Sequence, residues 1–236
     1  MSNSEERRQR LIKLASAATF LAVVTVAVLI VVSQSGSGGG DASNVRGTVD
    51  VERLLDGIPQ EGMVLGQSRA KVELREFGDL QCPVCKGFSE EVLPQVIENQ
   101  VRNGEAKLDF RNFTIIGPES TPAGTAAVAA GKQGRGWYYV ELFYRNQGEE
   151  DSGYVTEEFL SAIARAAGVA DMVRWNKDRK SEPVLREVEE TTVEAQRLGF
   201  EGTPSFAVKG PSTNELETLG TPSSAGDLES ALSAAR

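Results

Sequence analysis

The sequence predicts an α/β fold in which a block of helices separates two groups of strands. Three observations carry that expectation. Residues 72–77 (Val-Glu-Leu-Arg-Glu-Phe) alternate apolar and polar, the period-2 pattern of a strand. A helical pattern follows at once, with Phe88, Val92, Val96, Ile97 and Val101 at helical spacing. Beyond a second alternating stretch at 106–113, a strand pattern returns only at residues 205–208, after about eighty residues that read as helix.

Taken in order, residues 78–81 form a loop after the first strand, and Cys82-Pro83-Val84-Cys85 opens the first helix. Pro94 is expected to kink that helix without ending it, because the apolar stripe resumes beyond it; Asn103-Gly104 marks its stop. Residues 106–113 alternate again, with Leu108 and Phe110 on one face, as a second strand. The helical block covers about 117–195. Within it residues 125–132 are alanine-rich, 137–145 carry bulky apolar groups, and Thr156 is an N-cap candidate before Glu157 and Glu158. Residues 181–198 place Leu185, Val188, Thr192, Ala195 and Leu198 on one face, with Gly199 as the stop. Residues 205–208 then read as a strand, 216–219 as its hairpin partner and 227–235 as a closing helix. The aromatic cluster Trp137, Tyr138, Tyr139, Phe143 and Tyr144 is read as core packing in preference to a binding groove.

Composition narrows the chemistry. The net charge is −9, and residues 1–33 hold a local +2, leaving −11 for the remainder with no long basic run. Nucleic-acid binding needs a positive footprint that this chain lacks. There is no histidine, which excludes Ser-His-Asp, Cys-His and His-zinc sites. With two cysteines only, four-thiolate zinc or iron–sulfur centres are excluded as well. No metal and no cofactor are expected.

The N-terminus sets the expected compartment. Residues 14–32 form an apolar run broken only by Ser16, Thr19 and Thr25. At about 1.5 Å per residue, such a helix approaches the ~30 Å of a bilayer core. Arg7, Arg8, Arg10 and Lys13 precede it, and no cation follows before Arg46. The positive-inside rule then puts residues 1–13 in the cytoplasm and the rest outside, an anchor at 14–32. A cleaved signal peptide is the competing reading, disfavoured by the length of the run and the lack of a small-x-small site. The Gly/Ser-rich stretch within residues 33–44 reads as a flexible tether and 45–236 as the exported domain.

Outside the cytoplasm a disulfide persists, and Cys82 and Cys85 become the natural carriers of chemistry. At a helix start the first thiol meets unpaired backbone N–H groups and the positive end of the helix dipole, which favour its thiolate. Pro83 fits an early helical position, where a missing N–H costs little. Cys82 is expected as the exposed nucleophile and Cys85 as the buried resolving thiol. A purely structural disulfide is the competing reading, but so short a loop constrains the unfolded chain least. Glu76, at the inner end of the strand that delivers the cysteines, could lie buried near Cys85 and move its proton, or be a partly exposed strand residue. Pro204, opening the strand at 205–208, is either an ordinary edge proline or a cis proline that aligns the preceding backbone beside the thiols. Asn112-Phe113-Thr114 matches a glycosylation sequon inside an expected buried strand.

These residues together resemble DsbA-like oxidoreductases of the thioredoxin superfamily, in particular the membrane-anchored disulfide-forming proteins of Gram-positive bacteria. Residues 76–85 (Glu-Phe-Gly-Asp-Leu-Gln-Cys-Pro-Val-Cys), residues 88–94 (Phe-Ser-Glu-Glu-Val-Leu-Pro) and residues 202–206 (Gly-Thr-Pro-Ser-Phe) carry the likeness, which spans roughly 45–236. The resemblance implies a thioredoxin-like fold with an inserted helical domain. It implies Cys82 as nucleophile, Cys85 as resolving thiol, Thr203 and a cis Pro204 facing them as the substrate-binding pair, and Glu76 as the buried carboxylate. Its implied partners are exported thiol-containing proteins and a membrane redox partner, either a quinone-linked thiol oxidase or an electron donor. Many such oxidases have histidine where this chain has Val84, a departure that could make the centre less oxidising. An oxidase, a reductant or isomerase serving for example cytochrome maturation, and a non-catalytic thioredoxin-like binding module are therefore three distinct expectations.

Overall fold

A computed structural model describes residues 42–236, so the expected anchor at 14–32 and the tether up to residue 41 lie outside the described residues. Among the described residues no helix is long and apolar enough to cross a membrane. A 3-10 turn at Ala42–Asn44 occupies the end of the expected tether.

The strands are β1 (Gln60–Glu61), β2 (Val64–Leu65), β3 (Val72–Gly78), β4 (Ala106–Asn112), β5 (Ser205–Lys209) and β6 (Glu217–Gly220). They form one sheet in the order β1-β2-β4-β3-β5-β6. β3 and β4 run parallel, joined by the helical crossover that begins at the cysteines, while β5 lies antiparallel on the other side of β3. β3 is thus a central strand, and its residues are buried except for the half-buried Glu73 and Arg75. The helices are α1 (Thr48–Leu55), α2 (Pro83–Glu91), α3 (Leu93–Val96), α4 (Ser120–Gly131), α5 (Gly136–Arg145), α6 (Glu157–Ala166), α7 (Met172–Asp178), α8 (Glu182–Arg197) and α9 (Ala225–Ala234). The first strand–helix–strand unit, the helical block and the closing strand–strand–helix stand where the sequence pattern puts them.

Each sheet face has its own apolar cluster, as the period-2 rule requires. Leu74, Leu108, Phe110, Phe206 and Val208 lie on one face in the main core. Phe77, Ala207 and, from outside the strands, Phe113, Ala195 and Phe200 form the second cluster. Charged residues intervene on this second face, where Arg75 and Arg111 both pair with Glu194 of α8.

Several local expectations need correction. The stripe after the cysteines is not one kinked helix: α2 ends at Glu91, Val92 departs from ideal helical angles, and α3 restarts with Pro94 in its first turn. A π-helical turn at Ile97–Val101 completes the path, an extra-residue loop in the helix that keeps Ile97 and Val101 on the core side. The buried face of α8 is Val184, Val188, Thr191 and Ala195, while Leu185 is 38% exposed. Thr191 is buried and its hydroxyl donates to the Asn112 carbonyl at 2.7 Å as β4 ends, with the half-buried Thr192 reaching the same carbonyl at 3.4 Å. β1 and β2, of two residues each, carry too few residues for a legible period, and α1 and α7 are additional to the expected elements. The aromatic cluster is core: Trp137, Tyr139, Phe143 and Tyr144 are fully buried, and Trp137 Nε1 donates to the Met63 carbonyl at 2.8 Å. Asn112 of the sequon is likewise buried.

Phe110 joins the sheet to the helical block, with edge-to-face contacts to both Trp137 and Tyr144. Phe110→Ala should lower unfolding free energy by about 3–5 kcal/mol, as for other fully buried aromatics. Urea unfolding of the two full chains, followed by tryptophan fluorescence, measures that difference.

Candidate active site

β3 ends at Gly78, and the chain turns through Asp79, Leu80 and Gln81 before α2 begins. Asp79 fixes this turn. One carboxylate oxygen accepts from its own Gln81 N–H at 2.9 Å, and the other accepts from the Ile115 and Ile116 N–H groups at 2.9 and 3.1 Å. The loop after β3 is thereby tied to the loop after β4. The helical block holds it from the other side: Tyr144 Oη donates to the Asp79 carbonyl at 3.2 Å, and Gln147 Nε2 donates to the Leu80 and Cys82 carbonyls at 2.7 and 3.1 Å.

Cys82 is the N-cap of α2, with Pro83 at the first helical position. Its sulfur accepts from the Cys85 N–H at 3.2 Å and lies 3.3 Å from the Thr203 carbonyl oxygen. Both cysteines are unbonded thiols. The Thr203–Pro204 peptide is cis, the second of the two readings open for Pro204. The loop from Thr203 and the start of α2 cover Cys82, which is only 4% exposed; the expectation of an exposed thiol is therefore corrected. Val84 is the accessible member of the motif, at 60% exposure. Cys85 is fully buried beneath it.

The two sulfurs are pushed in opposite directions. Donation from the Cys85 thiol is the largest cause lowering the Cys82 pKa, to about 6. Burial opposes this, whereas the Thr203 side chain and the N–H groups of Cys85 and Val84 reinforce it. Cys85 moves well above the ordinary thiol value, chiefly through burial and also because it faces the Cys82 thiolate and Glu76. Glu76 is 2% exposed on the core-side face of β3, and neither carboxylate oxygen has a hydrogen-bond partner. Burial raises its pKa to about 8, aided by Glu141 and Cys82. A buried carboxyl group with a raised pKa therefore lies on the core side of the pair, close enough to Cys85 to disfavour its charge.

The structure brings Glu76, Cys82, Pro83, Val84, Cys85, Thr203 and Pro204 into one centre. Sequence reasoning missed Asp79, Tyr144, Gln147, Ser89 and Glu141. Two of these left a signal: Asp79 followed by a turn is an Asx-turn pattern, and Glu141 is a lone acid inside a run of bulky apolar residues. No cluster of three or more metal-ligating side chains occurs among the described residues.

A family model described as Thioredoxin matches residues 59–225. The chain belongs to the thioredoxin family. Among curated members of the family, a probable disulfide bond formation protein D of Bacillus cereus is 32% identical over 153 residues, 64% of this chain and 71% of that protein. Oxidised BdbD from Bacillus subtilis superposes with a TM-score of 0.64 at 21% identity, covering 75% of this chain and 97% of that one. A thioredoxin-like oxidoreductase from Silicibacter pomeroyi gives 0.58 at 26% identity, covering 77% and 95%. This family member is a DsbA-like thiol–disulfide oxidoreductase.

The lowered Cys82 pKa has a definite sign. It lies below the ordinary thiol value of 9.0, so the thiolate stabilises the reduced protein fully above that value, and the contribution is lost as pH falls through about 6. Iodoacetamide alkylation of the reduced full chain should therefore rise with a midpoint near pH 6. In Cys85→Ala, which removes the strongest stabilising donor, the midpoint should move upward. An unchanged midpoint would refute that cause.

Proposed function

We propose that this chain is an extracytoplasmic, membrane-tethered thiol–disulfide oxidase that forms disulfides in exported proteins through Cys82-Pro83-Val84-Cys85. The opposed pressures on the two sulfurs are the observation that carries this reading. A Cys82 thiolate is a good leaving group, and a neutral Cys85 over Glu76 is a good proton sink, so the centre gains by becoming the dithiol.

The steps follow from that arrangement. A substrate thiolate attacks Cys82 Sγ in the disulfide form; a substrate–Cys82 bond forms and the Cys82–Cys85 bond breaks, its electron pair leaving on Cys85. Glu76 as the carboxylic acid gives its proton to the Cys85 thiolate. A second substrate thiolate attacks the substrate sulfur of the mixed disulfide, and Cys82 departs as the stabilised thiolate. The substrate is oxidised by two electrons and the pair is reduced. Thr203 and Pro204, beside Cys82, line the strip where an extended substrate would run. A membrane redox partner, such as a quinone-linked thiol oxidase, would restore the disulfide. The apolar run at residues 14–32, with its preceding cations, supports tethering with the catalytic domain outside. The name of the Bacillus cereus relative, disulfide bond formation protein D, supports the same direction.

Val84 favours a second reading, a thiol reductase or isomerase. An exposed apolar side chain between the cysteines donates nothing to the Cys82 thiolate. The reduction potential of the full chain, equilibrated against glutathione buffers, decides between them. The oxidase should lie near or above about −150 mV, and a value near about −250 mV or below would establish the reductant. Cys82→Ser should abolish disulfide transfer to a reduced peptide, an outcome that a non-catalytic binding module would not show. Given a disulfide-linked peptide dimer, Cys85→Ala should instead accumulate the mixed disulfide, as Cys82 attacks the peptide disulfide and releases one peptide thiol, visible as a gel shift reversed by dithiothreitol.

A further inference from the structure

Behind the sulfurs, three elements bring a second carboxylate to the site. Glu76 and Gly78 point to the same side of β3, because the side-chain period of a strand is two. Gly78 approaches α5 so closely that a Cβ there would stand 3.0 Å from the Tyr144 hydroxyl. Glu141 precedes Tyr144 by three residues, one turn back on the same side of α5. On α2, Ser89 lies one turn beyond Cys85, and its hydroxyl donates to Glu141 Oε1 at 3.0 Å. Glu141 is fully buried. Its other oxygen has no hydrogen-bond partner, and the Arg145 guanidinium at 3.9 Å is the counter-charge beside it.

We propose that Glu141 is a positioning residue of the redox centre: its negative charge keeps Glu76 in the carboxylic acid form until the Cys85 thiolate takes the proton. This rests on the reading of Cys82 and Cys85 as the redox pair. Burial raises both carboxyl groups, Glu141 to about 7 and Glu76 to about 8. The groups facing Glu141 explain the order. Ser89 from α2 and Arg145 from its own helix favour its ionised form, Glu90 from α2 opposes it, and Glu76 on β3 has no donor at all. Glu141 therefore ionises first, and its charge discourages a second charge on Glu76.

The proton balance is closed. When the Cys82–Cys85 bond breaks, Cys85 leaves with the electron pair, the Glu76 acid protonates it, and Glu76 becomes a carboxylate beside charged Glu141. That like-charge pair is unfavourable, which favours return of the same proton from Cys85 to Glu76. In the reverse step Cys85 gives its proton back to Glu76 as its thiolate attacks. A glutamine at 141 could accept the same Ser89 hydrogen bond in the same volume, so packing alone does not require a charge there.

The test is a titration of Glu76 in the full chain, reduced and labelled with 13C at glutamate Cδ, its resonance assigned with Glu76→Gln. In Glu141→Gln the Glu76 inflection should fall by roughly one pH unit, the effect of removing a nearby like charge. Glu141→Asp, which keeps the charge, should leave it near the wild-type position. The pH profile of reaction between the reduced chain and oxidised glutathione should follow the same shift. A Glu76 inflection that stays put in folded Glu141→Gln overturns the proposal. If that variant does not fold, Ser89→Ala carries the test, since loss of the donor leaves Glu141 less ionised and must also lower the inflection; no movement there overturns the proposal equally. A wild-type chain inert toward glutathione would instead sink the redox reading, while the carboxyl titration would still report the coupling.

Discussion

The buried carboxylate of Asp79 is the constraint on which the presentation of the cysteines depends. A loop leaving a central strand must satisfy its own backbone N–H groups while it turns into a helix, or the turn opens. Asp79 does this for its own loop and for the loop after β4 at once, through Gln81, Ile115 and Ile116. The helical block then acts on the carbonyl side of the same turn through Tyr144 and Gln147. Donors and acceptors of one short segment are thus held by two different parts of the fold, which fixes Cys82 at the start of α2.

That fixed placement is what lets two identical side chains three residues apart behave differently. Cys82 sits where backbone N–H groups and a neighbouring thiol point at it, and Cys85 sits where apolar burial and acidic neighbours disfavour charge. Neither effect needs an exotic group. The separation follows from one turn of helix, which carries the second sulfur from the helix end into the core.

Much of this was legible in the residues. The alternation of 72–77 and the cysteines that follow it locate β3 and the start of α2, and Thr203-Pro204 locates the facing loop, because these segments are short and their patterns are local. What was not legible depends on tertiary contact. The buried face of α8 differs from the expected stripe by one position, with Val184 and Thr191 inward in place of Leu185 and Thr192. The shielding of Cys82 comes from a loop 121 residues away. Glu141 belongs to the site only because α5 folds back over β3 and α2, a closeness that periodicity in α5 does not encode.

The chain contains no histidine. In most proteins imidazole side chains supply much of the buffering between about pH 6 and 8 and blur any proton exchange that accompanies a reaction. Here the described groups pushed into that interval are few and buried: Cys82, Glu76 and Glu141 at the sulfurs, with Asp109 on the opposite face of the sheet. A lightly buffered solution of this protein would consequently acidify or alkalify almost in step with its sulfur chemistry, so the protons of each redox cycle can be counted with an electrode.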